Sequence, residues 1–202
     1  MFVKAFGSLT VPVSIVTSTV SSSGLHISIM TTRNLHKGGD RVPLRLSSGS
    51  VVTFKSTIFN LTERSAAQSS YLNLYNKKGD IILQITFRAG QKKIYCDDYS
   101  SFRNGWGKEQ SANLDVDRLQ HQEARILVYS FLTDSRINRY QILVNGTTVC
   151  YFDSRFPQPV THMSYSQLSA ATPPILSNPL EVVCCAMSDL SPEEQRAIHS
   201  ER

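Results

Sequence analysis

Residues Arg139–Phe152 read RYQILVNGTTVCYF and carry the strongest secondary-structure signal in the sequence. The dipeptide Asn145-Gly146 is typical of a type I′ turn, because both central residues of that turn need a positive φ. Apolar and polar residues alternate on both sides of the dipeptide, as they do in half-buried strands. The stretch therefore predicts a tight antiparallel hairpin.

The same alternation recurs from Gly24 onward, in segments bounded by Gly, Asn, Asp and Ser. A second hairpin is predicted to turn at Asn76–Gly79. Many short strands without intervening helices indicate a two-sheet sandwich or a barrel rather than an α/β domain. The predicted strands are Leu25–Met30, Val42–Leu46, Val51–Asn60, Tyr71–Tyr75, Ile81–Arg88, Lys92–Asp97, Ile126–Leu132, Arg139–Val144, Thr147–Asp153, Val160–Tyr165 and Leu180–Met187.

One short helix is predicted at the end of the sequence. Ser191, Pro192 and Glu194 combine an N-cap, a proline at the first helical position and a glutamate at the third, which together form a capping box. A helix this short and polar is marginal by itself, so it needs Leu190 and Ile198 to dock it on the sandwich.

Composition limits the class of protein. The chain has 202 residues, of which 41% are hydrophobic and 18% charged, as expected for one globular domain. No apolar run reaches the roughly 20 residues that a membrane-spanning helix needs. The formal net charge is +5, but the basic residues are scattered, so the sequence does not favour binding to nucleic acid.

The cysteines and histidines do not point to a metal, a cofactor or a disulfide framework. The four cysteines are too few and too irregularly spaced for a zinc site or a disulfide scaffold, and the five histidines lack metal-ligand spacing. Pro12 and several Ser and Thr residues interrupt what would have to be the apolar core of a signal peptide. We therefore expect free thiols and a cytoplasmic protein.

A polar row on one predicted strand is the first candidate for a binding site. In Leu83–Arg88, the residues Gln84, Thr86 and Arg88 share the face opposite to the apolar ones. The next strand leads to Trp106, the single tryptophan, which lies between two glycines. It is either a core anchor or an exposed platform. An exposed indole beside hydrogen-bonding groups suits a sugar, whose ring has an apolar C–H face.

These segments resemble the galectins. The family carries His-x-Asn-x-Arg, Val-x-Asn and Trp-Gly-x-Glu-x-Arg on adjacent strands, and the match here runs through Leu83–Arg88, Ile94–Asp97 and Trp106–Ser111. The resemblance covers about Gly24–Met187 and is closest to the galectins of mushroom-forming fungi. It implies an all-β jelly-roll sandwich with a ligand groove on the concave sheet, and export without a signal peptide as an alternative to retention in the cytoplasm.

The resemblance also assigns roles to residues of the groove. Arg88 would donate to sugar oxygens, Trp106 would stack on the ring, and Glu109 would accept from a hydroxyl while orienting Arg88. Four positions depart from the family pattern: Gln84 replaces His, Thr86 replaces Asn, Asp97 replaces Asn, and Ser111 replaces Arg.

The departures change what the groove is expected to bind. The Gln84 amide can still donate to a hydroxyl, whereas Asp97 is an acceptor only and is expected to form an ion pair with Arg88. Without a second arginine, Glu109 would depend on a cation from the neighbouring loop. Lys108 and Arg103 are the candidates for that cation, and Ser111 stands in place of the second arginine. Tyr95 is either a second aromatic wall of the groove or a cross-strand packing residue, and these four are the secondary site residues.

Two readings of the function stay open. The first is a lectin whose specificity is shifted from ordinary β-galactosides, for example towards N-acetylated oligosaccharides. The second is a galectin-fold interaction module that has lost sugar binding. A glycosidase needs two carboxylates, and Asp97 with Glu109 could supply such a pair. Nothing else in the sequence supports catalysis, so no enzyme is predicted.

The domain boundaries follow from the same resemblance. Residues 1–23 are predicted to be an N-terminal extension, residues 24–188 the carbohydrate-recognition domain, and residues 189–202 a helical tail. The extension contains apolar residues in Phe2–Val16 that could form an added edge strand and support a homodimer.

Overall fold

The computed structural model describes residues 30–61, 68–119, 122–168 and 174–199. These ranges contain strands β1 (Thr31–Leu35), β2 (Val42–Leu46), β3 (Ser50–Ser56), β4 (Ser69–Tyr75), β5 (Ile81–Arg88), β6 (Lys93–Ser100), β7 (Gly105–Trp106), β8 (Gln110–Asn113), β9 (Ala124–Leu132), β10 (Asn138–Val144), β11 (Thr147–Asp153), β12 (Val160–Leu168) and β13 (Leu180–Ala186), and helices α1 (Val116–Leu119) and α2 (Pro192–His199).

The strands form two antiparallel sheets. One has six strands in the order β1-β13-β3-β9-β10-β11. The other has seven, in the order β2-β12-β4-β5-β6-β7, and β8 pairs with β6 beyond the point where β7 ends. This arrangement confirms the predicted all-β sandwich with a short C-terminal helix.

The core lies between the inner faces of the two sheets. Leu83, Ile85 and Phe87 of β5 are fully buried there, and the ring of Phe87 meets that of Phe59 edge to face at 5.4 Å. Full burial of each such side chain stabilises the fold by about 1.5 to 3 kcal/mol. Because alternate residues of β5 are fixed inward by this packing, the polar residues between them must face away from the core.

Both predicted hairpins are confirmed. Asn145 and Gly146 have φ values of 49° and 78° and join β10 to β11, as the type I′ turn requires. The second turn, at Asn76–Gly79, joins β4 to β5. The Asn76 side chain organises it by accepting from the backbone N–H groups of Lys78 and Asp80.

Several sequence predictions were wrong in detail. The predicted strand Leu25–Met30 lies outside the described residues except for Met30, which precedes β1. Strand β1 (TTRNL) pairs with β13 and was not predicted, because its sequence is polar. Strand β3 ends at Ser56 rather than Asn60. The strand predicted to end at Asp97 continues as β6 to Ser100, where it pairs with β7.

Helix α2 docks on the outer face of the six-stranded sheet. Its capping box is confirmed: the backbone N–H of Glu194 donates to Ser191 Oγ, and Glu194 Oε2 accepts from the Ser191 backbone N–H. Leu190 and Ile198 are buried in an apolar cluster with residues of β3, β9 and β10. The ion pair between Arg125 and Glu194, at 2.6 Å, adds a polar tie.

Two further predictions concern the ends of the chain and membranes. The strand expected within Phe2–Val16 lies outside the described residues. Within the described ranges, neither helix has the length and apolar character that crossing a membrane demands.

Candidate functional site

The candidate site occupies the outer face of the seven-stranded sheet, where neighbouring strands bring polar residues together. In the pairing of β5 with β6, Gln84 lies opposite Asp97 and Thr86 lies opposite Tyr95. The buried residues on either side of each one fix the outward direction of these side chains. The polar row that the sequence predicts on β5 is therefore continuous with β6.

Arg88 is held from two sides. Its Nη2 atom lies 2.7 Å from Glu109 Oε2, and the side chains of Arg88 and Glu109 are 30% and 42% exposed. Its guanidinium carbon lies 3.7 Å from the centre of the Tyr95 ring, within the range of a cation–π contact. The Tyr95 hydroxyl in turn donates to Gln91 Oε1. The guanidinium is thus oriented while part of it still meets solvent.

Trp106 is an exposed platform rather than a core anchor, which resolves the alternative left open by the sequence. Its side chain is 51% exposed. One neighbour is Tyr99, paired with it across β6 and β7, whose ring centre lies 5.2 Å away at an interplanar angle of 57°. An indole in this position can offer an apolar surface to a sugar ring.

Hydrogen bonds to Arg155 and Asp98 hold the backbone on both sides of Trp106. The sequence did not suggest the ion pair that joins these two residues. Arg155 Nε lies 2.6 Å from Asp98 Oδ1, and Arg155 Nη2 donates to the carbonyl of Gly105 at 2.9 Å. On the other side, the Gly107 N–H donates to the Asp98 carbonyl at 2.8 Å. Arg155 follows β11, so only the tertiary fold brings it to this loop.

Asp97 and Asp98 have pKa values above the usual range for aspartate. In both cases burial is the largest cause, since removing a carboxylate from water disfavours its charged form. Hydrogen bonds from backbone N–H groups oppose the effect. The Asp98 N–H donates to Asp97 Oδ1 at 2.7 Å.

The expected ion pair between Asp97 and Arg88 is wrong. Both residues lie in the described part of the chain and do not pair: Arg88 turns to Glu109 instead. Gly107 allows the loop to come close to the carboxylates of Asp97 and Asp98. A Cβ at position 107 would lie only 2.3 Å from Asp98 Oδ1. The approach requires a residue without a side chain.

A chain of hydrogen bonds crosses β5, β4 and β12 on the same face. We call Asn73, Gln84, Thr86 and Ser164 the amide row. Gln84 Nε2 donates to Asn73 Oδ1 at 2.8 Å, and Thr86 Oγ1 donates to Gln84 Oε1 at 3.2 Å. Asn73 Nδ2 reaches Ser164 Oγ at 3.4 Å. The Gln84 amide keeps a second N–H, which is the group that a ligand could use.

The predicted site residues do not all meet solvent. Thr86 is only 3% exposed and donates to Gln84, so it orients that amide. Ser111 lies opposite Tyr95 on β8 and is exposed. Within the described ranges, neither Lys108 nor Arg103 forms an ion pair with Glu109. Glu109 therefore pairs with Arg88 and not with the loop cation that the sequence predicted for it.

Sequence reasoning missed Asn73 and Ser164. The predicted turn at Asn76–Gly79 could not reveal Asn73, because a register shift between Leu74 and Tyr75 is needed to place Asn73 opposite Gln84. Ser164 gave no signal either, since β12 joins β4 only through a long-range pairing.

Sequence comparison identifies one family. Its model, described as galactoside-binding lectin, matches residues 39–169. That range contains every site residue discussed above. Comparison with curated protein sequences gave no match.

Three of the solved structures with a similar fold are galectins from animals. Galectin LEC-6 of Caenorhabditis elegans has 16% identity and a TM-score of 0.53, with 77% of this chain and 94% of that chain covered. Sheep galectin-11, in a complex with glycerol, has 15% identity and a TM-score of 0.51, with coverages of 72% and 96%. Chicken galectin 2 has 18% identity and a TM-score of 0.51, with coverages of 74% and 99%. At these identities the likeness supports the fold alone.

Proposed function

Because the chain belongs to the galectin family of galactoside-binding lectins, we propose that it binds a glycan without covalent chemistry on the outer face of its seven-stranded sheet. The observation that carries the proposal is the Arg88–Glu109 pair beside the half-exposed Trp106. A fixed guanidinium donates to sugar oxygens, a carboxylate accepts from hydroxyls, and an indole covers the apolar face of the ring. We name Arg88, Tyr95, Asp97, Trp106 and Glu109 the Trp106 site.

The proposed specificity differs from that for ordinary β-galactosides. Gln84 has one amide N–H left for a ligand, and Asp97 can only accept while it is charged. Unmatched polar groups in a binding site cost about 1 to 3 kcal/mol each, so a ligand suited to a His and an Asn at these positions would bind weakly. N-acetylated oligosaccharides, which carry amide donors and acceptors, are the class we favour.

A glycan array with the purified chain tests the proposal, followed by titration of the best glycan. We expect binding that is lost in Trp106→Ala. Leu132→Ala is the matched control, because Leu132 is also 51% exposed but lies on the other sheet. Equal binding by all three proteins would contradict the proposed site.

A second candidate function is a protein-interaction module that has lost sugar binding. It is favoured by the amide row, whose hydrogen bonds within the protein occupy much of what Gln84 would offer to a ligand. A folded protein that binds no glycan on the array would support this alternative. Like the lectin function, it involves no catalysis.

Three finer predictions remain proposals. They are membership of the fungal branch of the family, a homodimer, and a cytoplasmic location, with export that bypasses a signal peptide as the alternative. Light scattering after size-exclusion chromatography tests the dimer directly, since its mass would be twice that of the 22.6 kDa chain.

A further inference from the structure

Two of the four cysteines, Cys96 and Cys150, meet between the sheets. Cys96 of β6 is fully buried in the core, and the half-buried Cys150 of β11 packs against the same core. Strand β11 contacts β6 across the sandwich, so the two thiols come from different sheets. Both thiols are free and are hydrogen-bonded to each other. We call Cys96 and Cys150 the thiol pair.

The thiol pair is asymmetric. The hydrogen bond with Cys96 lowers the pKa of the Cys150 thiol, although burial opposes this effect. The same hydrogen bond and full burial raise the pKa of the Cys96 thiol well above its usual range. Cys96 is therefore the donor, and Cys150 is the sulfur on which a thiolate is stabilised. Because the thiolate is the nucleophile in thiol–disulfide exchange, Cys150 is the group that reacts first.

Cys150 also lies where a reagent can approach. It belongs to β11, which is the edge strand of the six-stranded sheet as the described residues form it, and it pairs with Ile142 of β10 on the other side. Cys96 has a neighbour on each side, Ile85 of β5 and Gln110 of β8, and its side chain is closed to solvent. A small oxidant can thus reach Cys150 from the edge, and Cys96 is in place to complete the reaction.

The other two cysteines do not form such a pair. Cys184 and Cys185 are consecutive residues of β13, so their side chains point to opposite faces of the sheet. Burial raises the pKa of both thiols, to about 11 for Cys185. Neither has the thiolate character of Cys150, so a reaction with a small disulfide is directed to the thiol pair.

We propose that the thiol pair is a modification site, at which a low-molecular-weight disulfide such as oxidised glutathione converts Cys96 and Cys150 into a disulfide that joins the two sheets. The inference does not depend on the proposed lectin function. Cys96 stands between Tyr95 and Asp97 of the Trp106 site and points to the opposite face of β6. The bond would therefore tie the strand that carries the site to the other sheet.

The reaction consists of two exchanges. The Cys150 thiolate attacks one sulfur of the glutathione disulfide, whose S–S bond breaks, so that a mixed disulfide forms on Cys150 and one glutathione leaves as a thiolate. Cys96 then gives its proton to solvent, and its sulfur attacks Cys150 Sγ, which forms the protein disulfide and releases the second glutathione. The two protein thiols lose two electrons and two protons, and glutathione disulfide takes them up to become two thiols.

Mass spectrometry of the full chain tests the proposal. The reduced chain is incubated with oxidised glutathione under native conditions, the remaining thiols are alkylated in urea, and the digest is analysed without reduction. We expect one cross-linked pair of peptides, which contains Cys96 and Cys150, together with alkylated Cys184 and Cys185. A different pairing, glutathione retained on Cys150, or alkylation of all four cysteines would overturn the proposal.

Matched variants identify the role of each sulfur. Cys96→Ala removes the second exchange, so glutathione should remain on Cys150. Cys150→Ser should leave Cys96 unmodified. Cys184→Ser is the control, because Cys184 is half-buried like Cys150 but lies outside the thiol pair, and it should form the cross-link as the wild type does. Modification of Cys96 in Cys150→Ser would overturn the assignment of Cys150 as the nucleophile.

Urea denaturation measures the consequence for stability. The bond closes a loop of about 55 residues and should raise the midpoint of unfolding by about 1 to 2 M relative to the reduced chain. The increase should be absent in Cys150→Ser and kept in Cys184→Ser. A cross-linked chain that unfolds at the same urea concentration as the reduced chain, or at a lower one, would overturn the conclusion that the bond ties the sheets together.

Discussion

The Trp106 site and the amide row lie on one face and satisfy their polar groups in opposite ways. In the Trp106 site, Arg88 and Glu109 pair with each other and are still partly exposed to solvent. In the amide row, Asn73 and Thr86 are almost fully buried and their hydrogen bonds run to neighbouring side chains. The polar groups of the first region are therefore accessible to the proposed ligand, whereas those of the second mainly bond to one another.

The sharpest test of this comparison is Arg88→Ala, for which we expect the largest effect. The variant removes the donor to the sugar and leaves Glu109 without its partner, so affinity for the best glycan should fall by about a hundredfold, or roughly 3 kcal/mol. Isothermal titration calorimetry measures the change.

Arg139→Ala provides the control for loss of an arginine. It breaks a similarly exposed pair with Asp153 on the other sheet and should leave glycan affinity unaltered. If Arg88→Ala bound as well as the wild type, the pair at the Trp106 site would have a structural role only, and the contrast with the amide row would disappear.

The second prediction concerns the loop that presents Trp106. In Gly107→Ala, the added Cβ would lie 2.3 Å from Asp98 Oδ1, an atom already fixed by Arg155. Relief requires a shift of the loop or loss of the ion pair, so the free energy of unfolding should fall by about 2 kcal/mol. Urea denaturation measures it.

Gly105 offers a matched position on the other side of Trp106. The nearest atom to its added Cβ is the Arg103 carbonyl oxygen at 3.7 Å, an ordinary contact distance. Gly105→Ala should therefore be tolerated. Equal destabilisation by the two substitutions would mean that conformational freedom, rather than the space beside Asp98, explains the glycines.

The sequence predicted those parts of the fold and site that depend on local pattern. The alternation in Ile81–Arg88 and the Asn145-Gly146 turn led to the correct strands and hairpin, because both signals lie within a few residues of each other. Such features need no knowledge of distant contacts. The contact between Arg88 and Glu109 is different, because only the resemblance to the galectins implied it; the structure places Arg88 Nη2 2.7 Å from Glu109 Oε2.

Other features could not be predicted because they arise from pairing between distant segments. Strand β8, with the sequence QSAN, has weak strand propensity and forms because it completes the edge of β6. Arg155 reaches Asp98 across 57 residues of sequence. The Asp97–Arg88 prediction rested on opposite charge alone, whereas in the structure Arg88 pairs with Glu109 and Asp97 Oδ1 accepts from the Asp98 backbone N–H.

The third prediction tests the amide row. Gln84→Leu would leave Asn73 Oδ1 and Thr86 Oγ1 without their partner in a largely buried position, at a cost of about 1 to 2 kcal/mol in stability. Glycan affinity should fall less than in Arg88→Ala. Thr86→Val is the companion variant. Its loss of stability should be smaller, because Gln84 Oε1 can then accept a hydrogen bond from water. A greater loss of affinity from Gln84→Leu than from Arg88→Ala would reverse the assignment of the two regions.

The last prediction separates the ring of Tyr95 from its hydroxyl. Tyr95→Leu removes the ring beneath Arg88, and the loss of about 1 kcal/mol of cation–π stabilisation should weaken glycan binding about fivefold. Tyr95→Phe keeps the ring and loses only the exposed bond to Gln91, so its affinity should stay near that of the wild type. Similar losses in both variants would assign the effect to the hydroxyl. Because Ser111 stands opposite Tyr95 where the family has an arginine, the expected result would mean that an aromatic ring now orients Arg88.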